Sequence, residues 1–194
     1  MKYVMATHNP NKLLELQRIL EPLHIEVTTA DLQEVEETGT TFAENAYLKA
    51  KAACEQTGLP AVADDSGLVV DALNGAPGVY SARYGGEGLD DVGRYRLLLE
   101  NMRGQLDRRC RFVSVITLCM PNGDVITARG ECPGTLAYAP QGETGFGYDP
   151  VFFVPEKKKT FAQLTPEEKN AISHRGRALA VFQEKLAAYL AGQG

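Results

Sequence analysis

Lys2-Tyr3-Val4-Met5-Ala6-Thr7-His8-Asn9-Pro10-Asn11-Lys12-Leu13-Leu14-Glu15-Leu16-Gln17-Arg18-Ile19-Leu20 opens the chain and carries two periodicities in one stretch. Lys2 to Ala6 reads as a strand. Residues 11 to 20 read as a helix, because Leu13, Leu16 and Leu20 form an apolar stripe at helical spacing. A strand feeding straight into a helix is the repeating unit of an α/β fold. The same alternation continues outward. A strand falls near Ile25 to Thr28, and a helix runs from Thr41 to Glu55, stopped by Thr57-Gly58-Leu59-Pro60. Ala61-Val62-Ala63 is a short apolar strand running into Asp64-Asp65-Ser66-Gly67. Leu68 to Leu73 can extend the sheet, and Leu89 to Met102 reads as a helix.

The second half changes character. Arg111 to Met120 and Val125 to Gly130 read as strands joined by Pro121-Asn122-Gly123-Asp124, where the Asn-Gly step signals a hairpin. An antiparallel hairpin added to parallel units predicts a mixed sheet. Thr165-Pro166-Glu167-Glu168 is a helix start: Thr165 caps, Pro166 suits the first turn and Glu168 completes a capping box. Ser173 caps a further helix, which brings Leu179, Phe182, Leu186 and Tyr189 or Leu190 to the core. With 194 residues, 44% hydrophobic and 23% charged, residues 1–194 read as one α/β domain that can bury a full core.

Twenty Lys and Arg face 25 Asp and Glu, a net charge of −5. Such a surface repels polyanions, so no nucleic-acid partner is expected, although local basic groups can still hold a small phosphate compound. Cys54, Cys110, Cys119 and Cys132 include no CxxC pair, and three histidines accompany them. They read as reduced thiols of a cytoplasmic protein rather than zinc ligands. The apolar run at the N-terminus is too short for a signal peptide. No segment approaches the roughly 20 apolar residues that cross a bilayer, so no membrane association is expected.

Several segments carry side chains suited to phosphate chemistry, each with a plainer alternative. Thr7-His8-Asn9-Pro10-Asn11-Lys12 lies at a strand–helix junction, where helix amides and the dipole favour anions and Lys12 adds charge. It lacks P-loop glycines, and a plain helix cap by Asn9 or Asn11 is the alternative. In Ala63-Asp64-Asp65-Ser66-Gly67, two adjacent carboxylates at a strand end repel one another and invite a cation. Magnesium, which takes one or two carboxylates plus substrate phosphates, suits them. The alternative is an Asp-Ser-Gly turn with solvated carboxylates.

Glu36-Glu37-Thr38-Gly39 adds acid, and Asn45 and Lys49 share a helix face that is either phosphate-binding or simply solvated. Gly142-Glu143-Thr144-Gly145-Phe146-Gly147-Tyr148-Asp149-Pro150 is a flexible loop with aromatic groups. Phe146 or Tyr148 can stack on a planar base and Asp149 can accept from a ring N–H, or the aromatics simply anchor the turn. Lys169, His174 and Arg175 supply donors near a helix start, although a lone histidine there is more often a cap or a packing residue. Together these are the parts of a metal-assisted phosphoryl or nucleotidyl hydrolysis.

In this order along the chain, Thr7-His8-Asn9-Pro10-Asn11-Lys12, Glu37-Thr38-Gly39, Asn45 with Lys49, Ala63-Asp64-Asp65-Ser66-Gly67, Gly75-Ala76-Pro77-Gly78-Val79-Tyr80-Ser81-Ala82-Arg83, Gly145-Phe146-Gly147-Tyr148-Asp149-Pro150 and Ser173-His174-Arg175 resemble the inosine triphosphate pyrophosphatase family, the non-canonical purine nucleoside triphosphate pyrophosphatases. The resemblance runs essentially end to end. It implies a long mixed sheet with flanking helices, two lobes with a central cleft, a homodimer and dependence on Mg2+. By motif position it implies that Thr7, Asn9 and Lys12, within 7–12, hold the triphosphate with Lys49. It assigns Glu37 and Asp65 to the metal, Asp65 as proton acceptor with Asp64 in support, and Ser66 to substrate. Phe146, Gly147, Tyr148, Asp149, Lys169, His174 and Arg175 then line the base pocket. Glu36 is the alternative to Glu37, because the acidic pair leaves the register open. The rival readings are a pyrophosphatase for modified pyrimidine nucleotides, a nucleotide sensor without turnover, and a phosphate-monoester phosphatase.

Overall fold

The computed structural model describes residues 1–193. Its centre is a seven-stranded mixed sheet with helices against it. The strands are β1 (Lys2–Met5), β2 (Glu26–Thr28), β3 (Ala61–Val70), β4 (Arg109–Cys119), β5 (Val125–Leu136), β6 (Phe152–Val154) and β7 (Lys159–Thr160), in the order β2-β1-β3-β4-β5-β6-β7. β1 pairs parallel with β2 and with β3, whereas β5–β6 and β6–β7 are antiparallel. The helices are α1 (Pro10–Leu20), α2 (Phe42–Thr57), α3 (Asp91–Asn101), α4 (Pro166–Ile172) and α5 (His174–Gln193).

Local chemistry sets most boundaries. Asn9 caps α1 with Pro10 at the first position, and Thr41 caps α2, accepting from Glu44 N. Gly58, in the left-handed region at φ +71°, ends α2. The capping box of Thr165 and Glu168 opens α4 as the sequence predicts. The hairpin turn closes with Met120 N donating to Asp124 O at 2.9 Å.

One expectation needs correction. The segment containing Asp64 and Asp65 is neither a strand end nor a turn: it lies inside β3, which runs unbroken through Ser66-Gly67 to Val70. Gly67 is buried, and the apolar run resumes at Leu68 within the same strand.

The chain divides into two compact units: residues 1–65 with 114–130 and 177 onward, and residues 66–113 with 131–176. The first has two apolar clusters. Tyr3, Met5 and Val62 pack with Leu16 and Leu20 of α1 and Phe182 and Leu186 of α5, whereas Val4, Ala61 and Ala63 pack with Ala50, Ala53 and Cys54 of α2. The second unit is built on Leu68, Val70, Leu98, Phe112, Phe152 and Phe161, with the Phe112 and Phe152 ring centroids 4.5 Å apart. All four cysteines are buried, and burial pushes Cys110 up to about 12 and Cys119 up to about 11. Among the described residues, no helix is long and apolar enough to cross a membrane.

Phe182 is fully buried in the first unit. Phe182→Ala is expected to cost about 3–5 kcal/mol, since the cavity adds to the lost burial. Urea unfolding followed by circular dichroism measures it.

Candidate active site

Successive side chains of a strand leave opposite faces, and β3 uses this directly. Val62 and Asp64 take the α1 face, while Ala61, Ala63 and Asp65 take the α2 face. Asp64, 4% exposed, accepts an ion pair from Lys12 Nζ at 3.0 Å. The two carboxylates are therefore not a repelling pair aimed at one point. Asp64 is the weakest of the groups acting on Asp65.

On the α1 face, Thr7 Oγ1 accepts from Asn9 N at 3.1 Å and Asn9 Oδ1 accepts from Asn11 N at 2.9 Å. These bonds shape the strand–helix junction, and His8, Asn9, Pro10 and Asn11 stand exposed on it. Lys12 follows one residue later, held by Asp64 with its ammonium partly open to solvent. The result is a helix N-terminus with a lysine fixed beside it, a suitable seat for a phosphate.

On the α2 face, Asp65 is 9% exposed. Burial pushes its carboxyl up to about 6, with Lys49 and Asn45 pulling it down and Glu37 and Asp64 adding to the rise. Lys49 pairs with Glu37 at 3.1 Å. Glu36 is exposed whereas Glu37 is half-buried, so the structure brings Glu37 and not Glu36 to this group. Asp65 Oδ2 is buried without a hydrogen-bond partner. A buried carboxylate oxygen left open beside further acids fits a hard divalent cation. Among the described residues no three such groups converge as a ready cage. Magnesium does not need one, because substrate phosphates and water complete its shell.

The second unit holds the aromatic group. Gly145 sits at φ +78°, and a Cβ there would collide with the Asp149 carboxylate, so the loop can close tightly only with glycine. Asp149 Oδ2 accepts from Phe146 N at 3.1 Å and from Lys169 Nζ at 2.6 Å. Burial raises the Asp149 pKa, opposed by Lys169. Lys169 Nζ also stands 4.7 Å from the Phe146 ring centroid.

The two aromatic candidates separate. Phe146 is 69% exposed, while Tyr148 is 6% exposed and donates its hydroxyl to Ser81 O at 2.6 Å. Phe146 thus offers a stacking face and Tyr148 anchors the loop. Gly147 N donates to Asp91 Oδ2 at 3.0 Å. His174 stacks on Phe112 with centroids 4.7 Å apart, and Arg175 beside it is half-buried. Ser173 Oγ accepts from Gly176 N at 3.0 Å, which fixes the α5 start that carries both. Ser66 is half-buried on β3.

Three contacts have no signature in the sequence. Asp91 and Ser81 hold the 146–148 loop from 56 and 67 residues away. Asn45 is fully buried and bonded to Gly39 N. The first two are long-range contacts with no local pattern. The Asn45–Lys49 spacing did mark the α2 face, but not which of its groups is buried.

The model of the Ham1 family matches residues 3–185. The chain is 49% identical over 196 residues to a dITP/XTP pyrophosphatase of Exiguobacterium sp., covering 99% of this chain and 100% of that one. It is 52% identical over 192 residues to a dITP/XTP pyrophosphatase of Desulforamulus reducens, covering 96% of each. The solved structure of a HAM1 protein from Coxiella burnetii superposes with a TM-score of 0.94 at 44% identity, covering 97% of this chain and 99% of that one.

Asp149→Asn keeps an acceptor for Phe146 N and removes the charge that holds Lys169. It is expected to lower stability by about 1–3 kcal/mol. Chemical denaturation reads the loss, and faster hydrogen exchange at the Phe146 amide reports release of the loop.

Proposed function

The chain belongs to the Ham1 family, and from that premise we propose that it hydrolyses non-canonical purine nucleoside triphosphates (inosine, deoxyinosine and xanthosine triphosphates) to the monophosphate and pyrophosphate. It thereby clears them from the nucleotide pool. The printed names of its relatives support the activity. The observation that carries the chemistry is Asp65, a buried carboxylate with one oxygen free of hydrogen bonds, facing Lys49 and Glu37.

In this reading Thr7, Asn9 and Lys12, on the 7–12 segment, take the triphosphate with Lys49, and Ser66 adds a hydroxyl. The two lysines already sit against Asp64 and Glu37, so substrate phosphates compete for ammonium groups held in place beforehand. Glu37 and Asp65 are the residues that would hold Mg2+, which when bound neutralises charge building on the phosphates. Asp65 orients a water molecule and accepts its proton as the oxygen attacks the α-phosphorus. The bond between that phosphorus and the α–β bridging oxygen breaks, and pyrophosphate leaves. Asp64 acts by holding Lys12, since its carboxylate is committed to that pair. Positioning and fixed charge supply most of the acceleration.

The base is read by donors. Phe146 stacks on it, and Lys169, His174 and Arg175 face the 6-keto oxygen. Asp149 and Gly147 set the loop, Tyr148 anchors it, and the Asp149 carboxylate also stands as acceptor for a ring N–H. A 6-amino group would set donor against donor, at about 1–3 kcal/mol for each group left unpaired. A homodimer and a cytoplasmic location complete the proposal. They are supported by the family resemblance and by four cysteines kept as thiols.

Purified protein with magnesium and inosine triphosphate is expected to yield inosine monophosphate and pyrophosphate, with ATP turned over far more slowly. Orthophosphate release points instead to a phosphatase, persistence of intact triphosphate to a sensor, and preference for modified pyrimidine nucleotides to the pyrimidine rival. Asp65→Asn is expected to lower turnover by about 10²-fold or more with circular dichroism unchanged. Near-normal turnover in that variant removes Asp65 from the chemistry. Arg175→Ala is expected to shrink the preference for inosine triphosphate over ATP by about fivefold or more, and an unchanged ratio refutes that contact.

A further inference from the structure

Asn45 has 0% exposure on α2, one turn before Lys49. Its Oδ1 accepts from Gly39 N at 2.8 Å. That bond fixes the amide: the oxygen must face the Gly39 N–H, so the NH2 group is the end left for other neighbours. One of those neighbours is Asp65, whose carboxyl Asn45 pulls down in pKa. Asn45 Nδ2 and Asp65 Oδ2 are both buried, and each lacks a hydrogen-bond partner.

Helix capping does not account for this arrangement. Thr41 already accepts from Glu44 N, and Glu44 Oε2 already accepts from Thr40 N. The approach of Gly39 is also specific. A Cβ there would stand 2.7 Å from Asn45 Oδ1 and 2.6 Å from Glu44 Cβ, so the segment can lie this close only as glycine. The segment so held carries Glu37 two residues earlier, and Glu37 is itself paired with Lys49 on the same helix face.

We propose that Asn45 is a positioning residue for the metal centre: one end of its amide ties down the segment bearing Glu37, and the other presents a donor to Asp65, so that a single side chain sets the spacing of the two carboxylates. This rests on the reading that Glu37 and Asp65 serve the metal. Groups that orient metal-binding side chains typically change metal affinity or rate by about 10- to 100-fold when removed. Their burial leaves no room for an ordinary surface role.

The test is a magnesium titration of pyrophosphate release from inosine triphosphate, run on the wild type, Asn45→Ala, Asn45→Asp and Asp65→Asn, with thermal melting alongside. Asn45→Ala loses both ends of the amide. It is expected to need about tenfold more magnesium for half-maximal rate and to turn over about tenfold more slowly. Asn45→Asp keeps the acceptor for Gly39 N but sets an oxygen against Asp65, so its turnover is expected to fall even though the tie is kept.

A folded Asn45→Ala with wild-type magnesium requirement and turnover overturns the proposal, even if it melts lower, because that is a purely structural effect. Wild-type turnover in Asn45→Asp overturns the donor role. If an Asn45 variant does not fold, Gly39→Ala tests the same tie from the other side. A raised magnesium requirement there supports the proposal, and an unchanged one overturns it. Activity surviving in Asp65→Asn instead overturns the underlying assignment of the metal site.

Discussion

The pleat of β3 governs the acidic centre. Side chains on a strand alternate faces without exception in an unbroken register, so two adjacent aspartates cannot serve one point. Asp64 is sent to α1 and meets Lys12; Asp65 is sent to α2 and meets Asn45 and Lys49. Each carboxylate therefore acquires its own environment from its own helix. One is neutralised by a lysine; the other is desolvated and left with an open oxygen. A turn at the same residues would have exposed both to water and made them equivalent. The strand differentiates them.

In the proposed function, a chain of net charge −5 holds a polyanion through local pairs. Long-range field does not decide binding at contact distance, because solvent screens it within about 10 Å. What decides is the local arrangement, where Lys12 and Lys49 are each held on a carboxylate about 3 Å away. A lysine restrained in this way has already lost part of its rotamer freedom. The acids therefore fix the cations in place before any ligand arrives.

Much of this was legible along the chain, and the reason is local. Helix starts at Asn9, Thr41 and Thr165 depend on side chains within three residues of the amides they satisfy, so capping patterns reveal them. The Asn122-Gly123 hairpin is equally short-range. Asp64-Asp65 departs from the strand end that local chemistry predicts. Ser66-Gly67 after two acids has turn chemistry, but Leu68 and Val70 are fully buried in the second core and keep the strand running, a tertiary effect that no local window contains. The burial of Tyr148 and the reach of Asp91 to Gly147 were hidden for the same reason. Chemical type identifies candidate residues; burial sorts the one that stacks from the one that anchors.

In the proposed function, that sorting also bears on how the aromatic loop would recognise a base. Asp149 is buried and its Oδ2 already accepts two hydrogen bonds, from a loop amide and from Lys169. A carboxylate so occupied gives most of its charge to holding the loop. Lys169 is different: it is shared between that carboxylate and the face of Phe146, 4.7 Å from the ring centroid. A planar base that stacks on Phe146 covers the face the ammonium now occupies, and the cation must turn its remaining donors elsewhere. A keto oxygen on the base edge accepts them; an amino group does not. In the proposed function, the contact between Lys169 and Phe146 places the donor beside the stacking surface before the base arrives, and selectivity follows from what the incoming edge offers when that contact is displaced.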